Sequence, residues 1–343
     1  MGVPNIFKSC KFNEVDLDSY PYKKVAIDMY VILHKYAVDV QIAKQLVDDP
    51  CAFIEEYYEN IRFYLNSFVQ KGFEPYLVYD GNKMNFKVTE EDRAQNRLKA
   101  FLQQNWVSAV EIVPEQMFNF HHYLKLHPIH KDEKPLDIPY IVAPFEADAQ
   151  LTYLVKTGKV QSVLTNDSDL IVYGVKHILM IRQNNLFRYD MEEPEKDEKV
   201  TVVNQIDRRK LWLFGYLIGC DYFKGIPKIG IVKAFKIIET LPLIEDGTQV
   251  DWEATYKKLL EIPEYAKAIK TSDKVGIDYK KYYDRVRIVY WTQPVIDPEN
   301  YQLKYLNGTE VPETKLNDFG HVWSPKKVGT GEINPINGLQ YKI

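Results

Sequence analysis

The sequence predicts an α/β fold, a parallel central sheet flanked by helices, and three observations carry that expectation. Short, wholly apolar runs of strand length recur along the chain, amphipathic stretches separate them, and each run ends in an acid or is soon followed by one. Continuous apolar runs mark strands buried on both faces, as parallel strands are when crossover helices cover the sheet.

The first run, Lys24 to Ile27, ends at Asp28, and the second, Tyr76 to Tyr79, ends at Asp80. The next, Tyr140 to Ala143, stops at Pro144 and leads into Glu146 and Asp148, while Val160 to Thr165 gives way to Asn166, Asp167, Ser168 and Asp169. Helices are expected between them. Ala52 to Lys71 places Phe53, Ile54, Tyr57, Ile61 and Leu65 at helical spacing, and Ala147 to Lys156 sets Leu151 and Leu154 on one face. After residue 200 the pattern is helical, over Arg208 to Cys220 and Ile231 to Ile238, with a Gly/Pro-punctuated turn between. The polar, Pro-containing segments His127 to Leu136 and Glu192 to Lys199 read as surface loops, and the Gly-, Pro- and Asn-bearing tail from Pro294 as irregular chain wrapping the surface.

Length and composition bound the function. At 343 residues the chain can build one large α/β domain or two modest ones. A hydrophobic share of 45% and a charged share of 27% exclude collagen-like, low-complexity and charge-driven disordered classes. The longest apolar stretch, Leu211 to Cys220, is about half of the roughly 20 residues a membrane span needs. Ile6 stands where a myristoylation signal has Ser or Thr, and no signal-peptide core follows the first lysines, so an intracellular location is expected. Cys10, Cys51 and Cys220 are odd in number and scattered, which fits a reducing compartment without disulfides or structural zinc. The net charge of −4 does not exclude nucleic acid, because 44 Lys and Arg stand against 48 Asp and Glu, and setting aside the acids of one metal site tips the balance positive.

Seven acids define that site: Asp28, Asp80, Glu146, Asp148, Asp167, Asp169 and Asp221. In parallel sheets the carboxyl ends of the strands line the ligand crevice, so acids distant in sequence are expected to converge. Each alone equally suits a helix N-cap or the positive end of a helix dipole. Together they would repel one another and raise their own pKa values unless cations neutralised them. Carboxylate oxygens without His or Cys point to Mg²⁺ or Mn²⁺, and two such ions suit hydrolysis of a phosphodiester.

A second constellation runs from Gly219 through Asp221, Gly225, Pro227, Lys228 and Gly230 into Lys233 and Lys236. Glycines let backbone N–H groups approach a phosphate, the following helix presents its positive end, and the last two lysines lie one turn apart. An ordinary helix–helix turn with solvated lysines has the same pattern.

The blocks MGVPNIF, VAIDMYVILH, EPYLVYDG, YIVAPFEADAQ, TNDSDLIVYG and GCDYFKGIPKIGIVKA resemble, in order and spacing, those of the structure-specific 5′ nucleases, the superfamily of flap endonuclease, exonuclease 1 and the XPG-type repair nucleases. The resemblance covers about residues 1 to 240 and lies nearest the exonuclease 1 catalytic domain. It implies a PIN-like, resolvase-like nuclease core with a helical arch and a helix-two-turn-helix. The seven acids would then hold two Mg²⁺ ions, with Mn²⁺ able to substitute, and a K⁺ ion would sit at the helix-two-turn-helix. The implied layout is a catalytic domain over residues 1–300, with an N-terminal block 1–93, an arch 82–126 and an internal block 137–240 that includes the helix-two-turn-helix 208–240; residues 301–343 form the irregular tail.

The resemblance further implies that Gly2 lies close to the metal site, and that Tyr30 and His34 stack on DNA bases, although helix packing would also account for Tyr30. Lys87, seven residues after Asp80, takes the place of the gateway lysine, and Arg93 or Arg97 takes that of the later arginine. Gly225, Lys228, Gly230, Lys233 and Lys236 are the implied duplex contacts. Two departures stand out. Glu90, Glu91 and Asp92 dilute the gateway charge, and the arch is short. His121, His122, His127 and His130 invite a metal-site reading that no acid or Cys completes, and the tyrosines 279, 282, 283 and 290 read as helix packing. The expected protein is a nuclear, monomeric, Mg²⁺-dependent 5′ to 3′ exonuclease or flap endonuclease of DNA repair or replication. It acts on DNA with a 5′ end or a single/double-strand junction, away from membranes, and carries no recognisable clamp-binding motif. A non-catalytic scaffold that binds protein or RNA, and an RNA-directed nuclease, are the alternatives.

Overall fold

The computed structural model describes residues 2–182, 185–191, 203, 206–246, 249–272, 276–308 and 319–341. The chain divides into a sheet unit, of Asn13–Asn166, His177–Arg188 and Pro294–Ile343, and a helical unit, of Met1–Phe12, Asp167–Lys176 and Tyr189–Gln293.

The strands are β1 (Asn13–Glu14), β2 (Lys24–Asp28), β3 (Glu74–Tyr79), β4 (Ile129–Lys131), β5 (Lys134–Leu136), β6 (Tyr140–Val142), β7 (Ser162–Leu164), β8 (His177–Arg182) and β9 (Asn185–Asp190). Among the described residues, seven of these form one sheet in the order β1-β9-β8-β7-β2-β3-β6. β2 runs parallel to both β3 and β7, β3 parallel to β6, and β7 parallel to β8; the short β1 lies antiparallel on β9. Register follows the apolar runs. Ile27 pairs with both Leu77 and Leu164, and Tyr79 with Val142, so the carboxyl ends of β2, β3 and β6 leave the sheet side by side. Val25, Ala26, Ile27, Leu77, Val78, Ile141, Val142, Val163 and Leu164 are all fully buried, the two-sided burial that unbroken apolar runs demand.

Helices of this unit are α1 (Met29–Tyr36), α2 (Val40–Asp48), α3 (Glu55–Gln70), α4 (Glu90–Leu102), α5 (Trp106–Ala109), α6 (Pro114–Leu126) and α7 (Ala147–Lys156). α1, α3 and α7 bury Ile32, Leu33, Tyr57, Ile61, Leu65, Leu151 and Leu154. α3 begins three residues later than its apolar spacing predicts, where Glu55 and Glu56 meet the positive end of the helix dipole.

Two segments expected to be irregular carry strands. His127 to Leu136 is a hairpin: β4 pairs antiparallel with β5, and Asp132 and Glu133 at its tip both take positive φ, 50° and 65°, as a two-residue hairpin turn requires. Ile129 is buried and anchors it; the polar remainder hid the pairing from a reading based on apolar runs. In the tail, Pro294–Ile296 pairs with Leu303–Tyr305, because Val295 and Ile296 are apolar and fully buried, and Pro325–Gly329 is helical. The expected loop Glu192 to Lys199 lies outside the described residues.

The helical unit contains α8 (Asp169–Val172), α9 (Trp212–Ile218), α10 (Ile231–Thr240), α11 (Trp252–Glu261), α12 (Pro263–Ser272) and α13 (Tyr279–Thr292). The expected helix Arg208 to Cys220 opens instead with a 3-10 turn at Arg208–Lys210 and stops at Ile218, because Gly219 takes φ 116°. Aromatic rings fill this core. Trp212 packs 5.0 Å from Tyr283 at 69°, and the Tyr216 and Tyr265 hydroxyls lie 2.6 Å apart. Tyr279, Tyr283 and Tyr290 are buried here, which is the packing role their spacing suggested. Among the described residues, no helix is long and apolar enough to cross a membrane.

Candidate active site

In the sheet unit four acids stand at or beyond strand ends. Asp28 closes β2, caps α1 by accepting the Tyr30 backbone N–H at 3.1 Å, and accepts the Thr165 hydroxyl at 2.9 Å through its other oxygen. The helix-cap reading of Asp28 is therefore correct as geometry and leaves its second oxygen turned elsewhere. Asp80 follows β3 and accepts the Ala147 N–H at 2.6 Å, at the N-terminus of α7. Glu146 holds the N-cap position of α7 without capping it; its carboxylate instead takes a 2.7 Å ion pair from Lys87, both side chains being largely buried. Asp148 lies in the first turn of the same helix. Burial, together with the charges of Glu146 and Asp28, pushes the Asp80 carboxyl up to about 8, against the opposing pull of Lys87 and the Ala147 N–H. Burial works against the Lys87 charge, but Glu146 and Asp80 outweigh it and hold the ammonium above its ordinary value.

The helical unit gathers the other three. Asp167 accepts the Asp169 N–H at 2.9 Å, and Asp169 opens α8. Burial pushes the Asp169 carboxyl well above its ordinary range, with the charges of Asp167 and Asp221 pushing the same way and the Tyr290 hydroxyl opposing them. Among the described residues its Oδ1 is buried without a hydrogen-bond partner. Gly2, at φ 59°, is wedged against this group, and a Cβ there would run into Asp167, Asp169 and Ser168. The expected closeness of Gly2 to the acids thus appears as geometry.

These residues fit a divalent cation. The acids offer only hard oxygen donors, and a buried carboxylate oxygen without a partner is the kind of demand a metal ion satisfies.

The other named residues are placed as follows. Tyr30 is half-buried on α1 and His34 is open to solvent one turn on, their rings 6.5 Å apart. Surrounding protein, and then the Arg97 and Arg93 charges, lower the His34 imidazole. Arg93 and Arg97 share a face of α4; Arg97 pairs with Glu111 at 3.1 Å and Arg93 stands 3.8 Å from Glu90, so acids partly offset this helix's positive charge. In the turn before α10, Gly225 takes φ 80° and is buried, and a Cβ there would strike the Ile218 carbonyl. Gly230 is exposed and a Cβ there would meet nothing, and Lys228, Lys233 and Lys236 are exposed, with Lys233 reaching the Lys228 carbonyl at 3.1 Å. His121 is stacked on Tyr140 at 3.8 Å and pushed down to about 3 by burial, and His127 is stacked on Tyr123 at 4.5 Å. Thr165 and Tyr290, which touch or face the acids, escaped the sequence reading. Thr165 was legible as the last apolar-run residue before the acids, whereas Tyr290 carries no signal beyond its packing spacing.

Known proteins place this arrangement. Residues 1–100 match the XPG N-terminal domain and residues 137–221 the XPG I-region. The DNA damage-inducible protein DIN7 of Saccharomyces cerevisiae is 28% identical over 299 residues, covering 78% of this chain and 65% of that protein. Exodeoxyribonuclease 1 of the same yeast is 28% identical over 279 residues, 71% of this chain and 36% of its own. Exonuclease 1 of Xenopus laevis is 26% identical over 333 residues, 93% and 43%. The chain thus spans between about a third and two thirds of the length of these relatives. Among solved structures, a catalytic core of Rad2 in complex with DNA substrate gives a TM-score of 0.54 at 19% identity, covering 92% of this chain and 93% of that one. Flap endonuclease-1 from Methanococcus jannaschii gives 0.53 at 17%, covering 84% of each, so the mixed α/β architecture with its mostly parallel sheet is shared. Two matched regions in their proper order, together with this fold, make the chain a member of the XPG family of structure-specific 5′ nucleases.

Proposed function

We propose that the protein is a divalent-metal-dependent nuclease that hydrolyses DNA phosphodiesters from a 5′ end or beside a single/double-strand junction, as part of nuclear DNA repair or replication. The observation that carries this reading is the set of seven acids, four at or beyond the strand ends of the sheet unit and three, Asp167, Asp169 and Asp221, acting on one another around Asp169. Bound by these carboxylates, Mg²⁺ or Mn²⁺ supplies the Lewis-acid and charge-neutralising chemistry that phosphodiester hydrolysis needs.

The chain's own residues do the rest. Lys87 neutralises Glu146 and would offer its ammonium to the scissile phosphate, with Arg93 as second cation and Arg97 at the DNA strand. Tyr30 and His34 stack on the terminal bases as these unpair. Gly2 lies against Asp167 and Asp169, where a side chain on it would obstruct them. Lys228, Lys233, Lys236 and the open N-terminus of α10 at Gly230 hold duplex phosphates, with Gly225 shaping the turn and K⁺ as a ligand of the same segment.

The test uses duplex, nicked, flap and RNA substrates labelled at either end, with Mg²⁺ or EDTA. Stepwise release from the 5′ end of DNA, abolished by EDTA, is the expected result. Binding without cleavage under every condition would establish the scaffold instead, and preference for RNA would redirect the activity to ribose.

A further inference from the structure

We propose that Phe319 is a positioning residue for the Lys87–Glu146 ion pair, acting from a part of the chain that lies outside both matched regions. The proposal rests on the nuclease reading for its catalytic consequence, but its geometric basis lies wholly within the sheet unit. Phe319 is fully buried. Its ring sits 5.4 Å from Phe86 at 74° and 5.9 Å from Phe145 at 33°. Phe86 immediately precedes Lys87, and Phe145 immediately precedes Glu146. One side chain from the tail therefore packs between the two backbone positions that carry the pair.

Polar contacts place the same segment. The Asn85 N–H donates to the Phe319 carbonyl at 3.0 Å, and Asn82 Nδ2 donates to the His321 carbonyl at 2.9 Å. Gly320, at φ 129°, lies so close that a Cβ would stand 3.3 Å from both the Lys83 carbonyl oxygen and the Phe145 ring. The residues from Gly81 to Thr89 belong to no helix or strand. Other anchors of that stretch, such as the Gly81 and Asn82 N–H groups bonded to Phe145 and Pro144 carbonyls, lie at its beginning. A backbone without a ladder opens easily unless such contacts hold it; beyond Asn82 the Lys87 N–H bonds the carbonyl of buried Met84 at 3.3 Å, and the tail adds its contacts at Asn85 and Phe86. Lysine has a long flexible stem, so where its ammonium stands depends on where its backbone is fixed. A misplacement of about 1 Å at a catalytic group can cost on the order of 10²-fold in rate.

Phe319→Ala is expected to lower kcat on a 5′-labelled duplex with Mg²⁺ about tenfold, with KM little changed. In a Lys87→Met background the same change should alter kcat less than about twofold, because the residue through which Phe319 acts is gone. Equal losses in both backgrounds would reduce Phe319 to a core plug and overturn the proposal. A second readout needs no catalysis. In the metal-free protein, amide exchange across 81–89 should rise about tenfold in Phe319→Ala while β3 stays protected, and unchanged exchange there overturns the proposal equally. Phe319→Leu, which keeps an apolar filler, should give the same pattern at smaller amplitude and serves if the alanine variant fails to fold. A wild-type protein without nuclease activity would sink the functional reading, while the exchange result alone would still decide for or against Phe319.

Discussion

The two acid groups solve the same electrostatic problem in different ways. In the sheet unit, Glu146 receives an internal cation, Lys87, at 2.7 Å, and Asp80 and Asp28 each accept a backbone N–H. In the helical unit, Asp169 is pushed up by burial and by Asp167 and Asp221, and among the described residues one of its oxygens is buried without a partner. A carboxylate with a lysine beside it is stable as folded; one with an orphaned oxygen stores a demand that an external cation can meet. One group thus carries its own cation, and the other a buried carboxylate oxygen that none of the described residues satisfies.

Neutralising one acid in each group gives the largest effects and tests whether both are needed. Asp169→Asn and Asp80→Asn should each lower Mg²⁺-dependent cleavage by on the order of 10³-fold or more, while DNA binding survives. The two variants should part company without metal: Asp169→Asn replaces an unsatisfied buried acid by a neutral isostere and should raise Tm in EDTA more than Asp80→Asn does. Cleavage at the wild-type rate by Asp169→Asn would remove the helical unit's acids from the chemistry. Gly2→Ala comes next, at about 10²-fold, since its Cβ collides with Asp167 and Asp169 and strains a residue at φ 59°. Full activity in that variant would show that the N-terminal residues move aside freely.

The difference between the groups also separates what was legible in the sequence from what was not. Strands β2, β3 and β6 lie within two residues of their apolar runs, because two-sided burial writes itself as consecutive apolar residues. The positions of Asp28, Asp80, Glu146 and Asp148 were legible for the same reason, as acids at or soon after the ends of those runs. Their partners were not. Lys87 lies 59 residues from Glu146 in a stretch with no periodicity, and nothing in a local pattern says which cation a folded loop will bring to which acid. Thr165 and Tyr290 were read as strand end and packing, which they are, without a signal for the carboxylates they face. The hairpin at Ile129 to Leu136 was missed because its residues are mostly polar, so its turn chemistry and not its burial defines it.

A smaller effect probes a third region. Lys233→Ala with Lys236→Ala should weaken duplex binding roughly tenfold at moderate salt and reduce the slope of log affinity against log salt by about two, since each phosphate contact releases close to one counterion. The loss should be uniform across sequences. An unchanged slope would leave these exposed lysines as a solvated face.

The smallest effect, and the one that sharpens the comparison most, is the pH dependence of the metal-free fold. Asp80 has its pKa raised from an ordinary 3.8 to about 8, and Asp169 is raised in the same direction. An acid with a higher pKa folded than unfolded binds more protons in the native state, so the unfolding free energy falls as pH rises. For Asp80 the contribution is full below 3.8 and is lost as pH climbs through about 8. Carboxylates held low, such as Glu59 at about 2 through its bonds from Arg62 and Tyr123, act in the opposite sense in acid, so the informative quantity is the difference between variant and wild type. In EDTA, Asp80→Asn should recover about 2–4 °C of the wild-type fall in Tm between pH 5 and pH 8. Asp169→Asn should shift the profile in the same direction, since burial and the Asp167 and Asp221 charges raise that carboxyl too. Lys87→Met should change the curve the other way: without the ammonium that pulls it down, Asp80 titrates higher, and its part of the loss, beginning at the same pH, extends further upward. If Lys87→Met leaves the pH profile of Tm unaltered, the internal cation does not set the charge of the sheet unit's acids, and the two groups are electrostatically alike.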